Sequence, residues 1–134
     1  MPRFKKILTL SIFALFLLFV SGCGSSKNLL LGEWKAQTGA QKTDVVKFDS
    51  NKVTVNGQEF DYKVKSTENK GDIIYYQIEQ NGELFTVIFP DKDRNIAVMI
   101  QPYKSEDPLS GKLLYAMNKN EQPNYSEYAK KYVK

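Results

Sequence analysis

Apolar and polar residues alternate with a period of two along most of the chain from residue 42 onward. Val53 and Val55, for example, alternate with Lys52 and Thr54. Successive residues of a β-strand point to opposite faces, so this alternation is typical of a strand with one buried face. The pattern recurs in short segments separated by turn residues, with no helical pattern between them. It predicts an all-β antiparallel meander of about eight strands.

The first hairpin is indicated by Asn56-Gly57, since this pair readily supplies the two positive φ angles of a type I′ turn. A two-residue loop sets the strand register. The predicted opposed pairs are Val55 with Gln58, Val53 with Phe60 and Lys52 with Asp61. The apolar face then carries Val53, Val55, Phe60, Tyr62 and Val64, and the polar face carries Lys52, Asp61, Lys63 and Lys65.

A second hairpin is predicted over residues 73–80 and 83–89, joined by Asn81-Gly82. The same register argument defines one inward face, formed by Ile74, Tyr76, Ile78, Phe85, Val87 and Phe89. The opposite face consists of Ile73, Tyr75, Gln77, Leu84, Thr86 and Ile88. That face is too apolar for a fully solvated surface, so either a helix covers it or it forms a contact patch.

The remaining segments are predicted from turn residues. Residues 68–72 and 90–95 are predicted loops, 96–101 a strand, 102–111 the longest loop, and 112–117 the last strand. Asp91, Asp93 and Asn95 have the spacing that opens a calcium loop, but Ile96 stands where glycine is needed and Pro102 where glutamate is needed. An ordinary polar turn is therefore favoured, with no metal.

A C-terminal helix is predicted after Pro123. Asn124 and Glu127 fit a capping box. An apolar stripe follows at helical spacing, formed by Tyr125, Tyr128, Ala129 and Tyr132. The stripe either docks the helix against the sheet or forms a tyrosine-lined recognition surface.

The N-terminal segment has a different pattern. Three cationic residues, Arg3, Lys5 and Lys6, precede an almost unbroken apolar run over residues 7–20. The run is shorter than the roughly 20 residues that a spanning helix needs, and small residues follow it. This order predicts a secretory signal peptide, with an uncleaved anchor as the alternative.

Val20-Ser21-Gly22-Cys23 resembles the lipobox of bacterial lipoproteins. The resemblance implies cleavage before Cys23, a diacylglycerol on its sulfur and palmitate labelling. It also implies a lipid-anchored protein on the extracytoplasmic side of the cell membrane. The expected organisation is a signal peptide (1–22), the lipidated cysteine with a flexible tether (23–28), and one domain (29–134).

Gly32-Glu33-Trp34, in the first apolar segment of the domain, resembles the first-strand signature of lipocalins and related calycin barrels. The resemblance implies that Trp34 closes the floor of a barrel. Closing the sheet would also remove its unpaired edges. A small lipocalin-like barrel with a C-terminal helix is therefore expected.

Composition narrows the classes of function. Without residues 1–22 the chain has sixteen basic and fifteen acidic residues, a net charge of +1, which gives no argument for nucleic-acid binding. It has no histidine, and Cys23 is its single cysteine. We recognise no nucleophile paired with a base, no phosphate loop and no ligand cluster. The carboxylates, among them Asp44, Glu59, Asp61 and Glu79, are read as lying mostly on polar strand faces. A non-enzymatic protein without a cofactor is expected.

Two functions from different classes fit these observations. The first is a membrane-anchored interaction module, of surface-recognition, immunity or exclusion type, which contacts a protein partner. The alternative is a lipocalin-like binder of a small apolar ligand. The candidate binding residues are Trp34, Tyr62, Tyr76, Val87, Tyr125, Tyr128 and Tyr132. We expect a filled middle with any pocket confined to one mouth. A cavity of a few hundred Å³ would favour the ligand.

Overall fold

A computed structural model describes residues 28–133, which form nine β-strands followed by one helix. The strands are β1 (Gly32–Gln37), β2 (Thr43–Phe48), β3 (Lys52–Val55), β4 (Gln58–Asp61), β5 (Lys63–Lys70), β6 (Ile73–Gln80), β7 (Glu83–Phe89), β8 (Ile96–Lys104) and β9 (Asp107–Asn118). The helix, α1, is Tyr125–Tyr132. The predicted signal peptide, Cys23 and residues 24–27 of the tether lie outside the described residues.

All nine strands belong to one antiparallel sheet in the order β4-β3-β2-β1-β9-β8-β7-β6-β5. The predicted all-β meander with a C-terminal helix is therefore confirmed, with nine strands instead of about eight. The expected barrel is not closed, because β4 and β5 are the two edges of the sheet. Only Tyr62 separates these edges in the chain, so they meet at one corner without forming a hydrogen-bonded ladder between the described strands.

Tyr62 holds this corner in place. Its ring packs edge-on against Phe48 with 5.3 Å between ring centroids. Its hydroxyl donates a hydrogen bond to the carbonyl oxygen of Asp49, in the turn between β2 and β3. The Tyr62 side chain thus ties the corner to the interior. In a closed barrel, backbone hydrogen bonds between the two edge strands would do this instead.

Both hairpin registers are confirmed. Val53 pairs with Phe60 across β3 and β4, and Ile78 pairs with Phe85 across β6 and β7. Asn56 and Asn81 have φ angles of 51° and 52°, as the first position of a type I′ turn requires. Both hairpins have a two-residue turn and strands in which apolar and polar residues alternate. Neighbouring residues were therefore sufficient to predict the pairings.

Two predicted loops are largely strand. In the segment 68–72, β5 continues to Lys70, and only Gly71 and Asp72 form the turn. The predicted loop 102–111 is instead a hairpin with a turn at Ser105 and Glu106, and the register shifts between Pro102 and Lys104. Gly111 permits this pairing, because a Cβ at that position would lie 2.2 Å from the carbonyl oxygen of Gln101.

The inner face of the curled sheet encloses the main core. Its buried members come from every strand except β4 and β5, together with Leu30 and Tyr62: Leu30, Trp34, Ala36, Val46, Phe48, Val53, Tyr62, Tyr76, Ile78, Val87, Phe89, Ala97, Met99 and Met117. Val64 was predicted to share this face, but it is exposed on the edge strand β5.

The outer face of β6–β9 carries a second cluster, formed by Tyr75, Ile88, Val98, Ile100 and Leu113. The helix α1 packs on this cluster through its predicted stripe of tyrosines and Ala129. The helix therefore covers part of the apolar outer face, one of the two predicted outcomes, whereas Leu84 on the same face stays exposed. Among residues 28–133, no helix is long and apolar enough to cross a membrane.

Candidate functional site

An open cavity of about 490 Å³ lies in one half of the curled sheet. Its apolar wall consists of Val46, Phe48, Val53, Val55, Phe60, Ile78, Phe85, Met99 and Leu114. Polar side chains also line it: Lys42, Asp44, Asn56, Gln58, Gln80 and Tyr115. This combination of an apolar wall and a few polar groups is usual for small-molecule sites, which typically measure about 300–1,000 Å³.

Asp44 is the buried charged residue of this cavity, with only 6% of its surface exposed. It faces inward because it follows the same alternation in β2 as Val46 and Phe48, the two buried residues after it. Asn56 donates a hydrogen bond from Nδ2 to the Asp44 carboxylate at 2.7 Å. The Oδ1 atom of Asn56 accepts a hydrogen bond from the backbone nitrogen of Val45 at 2.9 Å, which orients the amide.

Tyr115 lies beside the same carboxylate. Burial raises the pKa of its phenol, and the charge of Asp44 and a hydrogen bond to it raise the pKa further. Tyr115 therefore remains a neutral hydrogen-bond donor across the physiological pH range. Asp44, Asn56 and Tyr115 together form a polar cluster on an otherwise apolar wall.

The other half of the interior is filled. Trp34 is fully buried there, and its indole Nε1 donates a hydrogen bond to the carbonyl oxygen of Leu30 at 2.9 Å. The backbone nitrogen of Leu29 donates to the hydroxyl of Tyr76 at 2.9 Å. Lys119 covers Trp34 from outside, with Nζ 4.9 Å from the ring centroid. The entering chain and Trp34 thus close this end, which we call the floor.

The structure separates the predicted inner binding residues from the cavity. Trp34, Tyr62, Tyr76 and Val87 are buried in the core, and none of them lines the 490 Å³ cavity. Trp34 and Tyr76 both pack against Phe89, with 5.8 Å between ring centroids in each pair. These side chains therefore fill the floor half of the interior. The pocket occupies the other half, where Ile78 and Phe85, two of the residues predicted to point inward, line it.

The predicted helix tyrosines lie on the opposite side of the sheet from the cavity. Tyr125, Tyr128 and Tyr132 are half-buried against the outer cluster. The Tyr125 hydroxyl donates to the carbonyl oxygen of Leu113 at 2.6 Å, and Asn118 Nδ2 donates to the Tyr128 hydroxyl at 3.1 Å. Their apolar surface and these polar groups are thus used in docking α1.

Sequence reasoning placed several cavity-lining residues on inward faces (Val53, Val55, Phe60, Ile78 and Phe85), but it named none of the lining residues as binding candidates and missed Asp44 altogether. Asp44 was read with the other carboxylates as one of a set mostly on polar strand faces. Its position two residues before Val46 and four before Phe48 was a usable signal, because a period of two places all three on one face. The open space itself has no signal in the sequence.

The polar side chains of the turn after β7 form hydrogen bonds to backbone atoms in or near that turn. Asp91 Oδ1 accepts a hydrogen bond from the backbone nitrogen of Lys92 at 2.7 Å, and Asp93 Oδ1 accepts from that of Asn95 at 3.0 Å. Arg94 Nη1 donates to the carbonyl oxygens of Asp72 and Asp91, each at 2.8 Å. These bonds are those of an ordinary polar turn.

Comparison with protein-family models, with curated proteins and with solved structures finds no match to this chain.

Proposed function

We propose that this protein is a membrane-anchored, non-enzymatic binding module that holds a small amphiphilic ligand in the open half of its sheet. This develops the second of the two functions considered from the sequence, the binder of a small apolar ligand, by adding a polar group to the ligand. The 490 Å³ cavity, with an apolar wall and a polar cluster at Asp44, is the observation that carries the proposal. An unfilled apolar space deprives its lining of packing partners, and a ligand would supply them.

The interaction module has less support. Its strongest candidate surface was the apolar outer face of β6 and β7, and α1 covers much of the outer cluster. Its other candidate was the tyrosine stripe, which packs inward against the same cluster. Large hydrophobic residues that stay exposed, such as Val45, Leu84 and Tyr103, lie on different strands. Scattered exposed residues of this kind are ordinary on a protein surface.

The predicted anchor gives the cavity an orientation. Lipidation of Cys23, as the lipobox resemblance implies, would leave five residues between the anchor and Leu29. Five residues span at most about 18 Å when fully extended. The chain enters the domain at the floor, where Leu29 binds Tyr76. The floor would then face the bilayer, and the cavity would open away from it.

A pair of tryptophan substitutions tests ligand binding. Val55 lines the cavity, so the indole of Val55→Trp would occupy the ligand's space. Thr54→Trp is the matched control, since successive strand residues point to opposite faces. The full chain, in lipid nanodiscs with empty nanodiscs subtracted, is titrated with the neutral probe naphthylethanol. Native mass spectrometry of the same samples detects any retained small molecule.

We expect the parent and Thr54→Trp to bind the probe with one site per chain, and Val55→Trp to bind at least tenfold more weakly. Any co-purifying molecule should be lost only from Val55→Trp. The proposal is wrong if the parent neither binds the probe nor retains a molecule. It is also wrong if both tryptophan variants bind the probe as the parent does.

A further inference from the structure

Asp44 is a buried carboxylate that forms no ion pair with any residue of the described range 28–133. The ion pairs formed within residues 28–133 are Lys52 with Asp61 and Lys65 with Glu79, and neither includes Asp44. Charged side chains are seldom this deeply buried unless they are paired. The neighbours of Asp44 in the cluster, Asn56 and Tyr115, are neutral donors. An ionised carboxylate has about four acceptor sites, so these two donors leave capacity for a further one.

We infer that the cavity selects amphiphiles with a cationic amine head group, which the Asp44 carboxylate binds while the apolar wall holds the rest of the molecule. This inference rests on the proposed function and adds the chemical class of the ligand. An ammonium group is a suitable partner because it donates hydrogen bonds and neutralises the buried charge. A charge-assisted hydrogen bond of this kind is roughly twice as strong as a neutral one.

The order of residues along the cavity wall places the ligand's head group near Asp44. Val46 and Phe48 follow Asp44 along the inward face of β2, so the lining changes from carboxylate to apolar within one strand. Asn56 lies in the exposed turn after β3, which places the Asp44 cluster at the open side of the cavity. A ligand would therefore insert its apolar part towards Phe48 and leave its head group near Asp44.

Lys42 is the competing group, because it also lines the cavity and carries a positive charge. Its side chain is exposed, whereas Asp44 is buried. An exposed ion pair contributes little, at most about 1 kcal/mol, while hydrogen bonds to charged groups within a protein are stronger. We therefore assign head-group selectivity to Asp44, which predicts a preference for amines and not for carboxylates.

Three probes with the same ring and different head groups test the assignment. Naphthylethylamine, naphthylethanol and naphthylacetate present a cation, a neutral hydroxyl and an anion. Each is titrated calorimetrically into the full chain in nanodiscs made of zwitterionic lipid, with empty nanodiscs subtracted. We expect the amine to bind at least tenfold more tightly than the alcohol, and the carboxylate to bind most weakly.

Asp44→Asn then removes the charge with little change of shape. The control Glu59→Gln removes one negative charge from an exposed position on β4, outside the cavity lining. We expect Asp44→Asn to reduce the amine's advantage over the alcohol to less than threefold while binding of the alcohol persists. Glu59→Gln should keep the parent's tenfold preference.

The outcomes separate this inference from the proposed function. Equal binding of all three probes by the parent would overturn the role of Asp44 and leave ligand binding intact. Tighter binding of naphthylacetate than of naphthylethylamine would assign selectivity to Lys42. That result would also overturn the role of Asp44. If no probe binds and no molecule is retained, the proposed function fails, and the inference fails with it. Even if Asp44→Asn does not fold, the relative affinities of the three probes for the parent protein show whether the cavity prefers an amine.

Discussion

The amide of Asn56, in the turn that joins β3 to β4, donates a hydrogen bond from Nδ2 to the carboxylate of Asp44 on β2 at 2.7 Å. The same residue has a φ of 51° and begins that turn. One side chain therefore connects the geometry of a hairpin to the polar cluster of the cavity. The second Asn-Gly turn provides an internal reference, because Asn81 has nearly the same φ, 52°.

This relationship predicts unequal effects of the same substitution at the two turns. Asn81→Ala should lower the free energy of unfolding by about 1–2 kcal/mol, since alanine is strained at positive φ. Asn56→Ala should cost a further 1–3 kcal/mol or so, because it also leaves buried Asp44 without its amide donor. Urea denaturation of both variants measures the difference. Equal losses at the two turns would show that the Asn56 side chain contributes nothing.

Trp34 is predicted to hold the floor. Trp34→Ala should lower the free energy of unfolding by about 3–5 kcal/mol, because the side chain is fully buried and its Nε1 bonds the Leu30 carbonyl. Trp34→Phe keeps most of the packing and should cost less. Thermal and urea denaturation check both variants. A Trp34→Ala protein that melts within a degree or two of the parent contradicts this role.

Gly111 is predicted to be required for space. Gly111→Ala places a Cβ 2.2 Å from the Gln101 carbonyl oxygen, so the backbones of β8 and β9 must move apart. We expect a loss of more than about 2 kcal/mol in the free energy of unfolding. Gly71→Ala is the control, since a Cβ there meets nothing within 4 Å and the cost comes from its φ of +64° alone. A smaller effect at Gly111 than at Gly71 would refute the close approach.

The buried tyrosines predict a loss of stability at alkaline pH. Burial raises the pKa of Tyr62, Tyr115 and Tyr128 above the ordinary value near 10. Above pH 10 the unfolded chain loses phenolic protons that the folded chain keeps, so the unfolded state binds fewer protons and stability falls as the pH rises. The full stabilisation should be present below the unfolded pKa.

Urea denaturation between about pH 8 and pH 11 measures this slope. Tyr62→Phe should make the alkaline slope shallower, since it removes one of the groups with a raised pKa. Tyr103→Phe is the control, because it makes the same substitution at a tyrosine that is 73% exposed. Stability that stays constant through pH 11 would contradict the burial of these phenols.

The anchor prediction rests on the sequence. Cys23→Ser should abolish metabolic palmitate labelling and reduce retention at the membrane, whereas Ser26→Ala in the tether should do neither. A Cys23→Ser protein that still carries the label would show that the lipidated residue lies elsewhere.

The parts of the fold that were predictable depended on neighbouring residues. Asn81-Gly82 and the alternation around it were sufficient to pair Tyr76 with Val87, as the structure does. The β8–β9 hairpin was predicted only in part: strands were expected at 96–101 and 112–117, but their continuation over 102–111 was missed because two prolines there indicate a loop. The role of Gly111 depends on its close approach to β8, which the sequence does not show. That a position must be glycine for lack of space can be seen only when the residue packed against it in the fold is known.

Closure and the cavity depend on long-range geometry. Whether β4 pairs with β5 is decided by the curl of seven intervening strands, and no local pattern encodes the sum of their twists. The empty space beside Phe48 similarly reflects how far opposite walls stand apart. Asp44 was within reach of the sequence, because its alternation with Val46 predicts an inward side chain.

The most direct test of ligand binding is the position of the probe inside the protein. Methyl NMR spectra of the full chain in nanodiscs, recorded with and without naphthylethanol, would locate the ring through its effect on nearby methyl groups. We predict saturable shifts at Val46, Val55, Ile78 and Met99 of the cavity, with little change at Ile88, Val98 and Ile100 beneath α1. Shifts confined to the outer cluster, or no saturable shift at the cavity residues, would contradict the account.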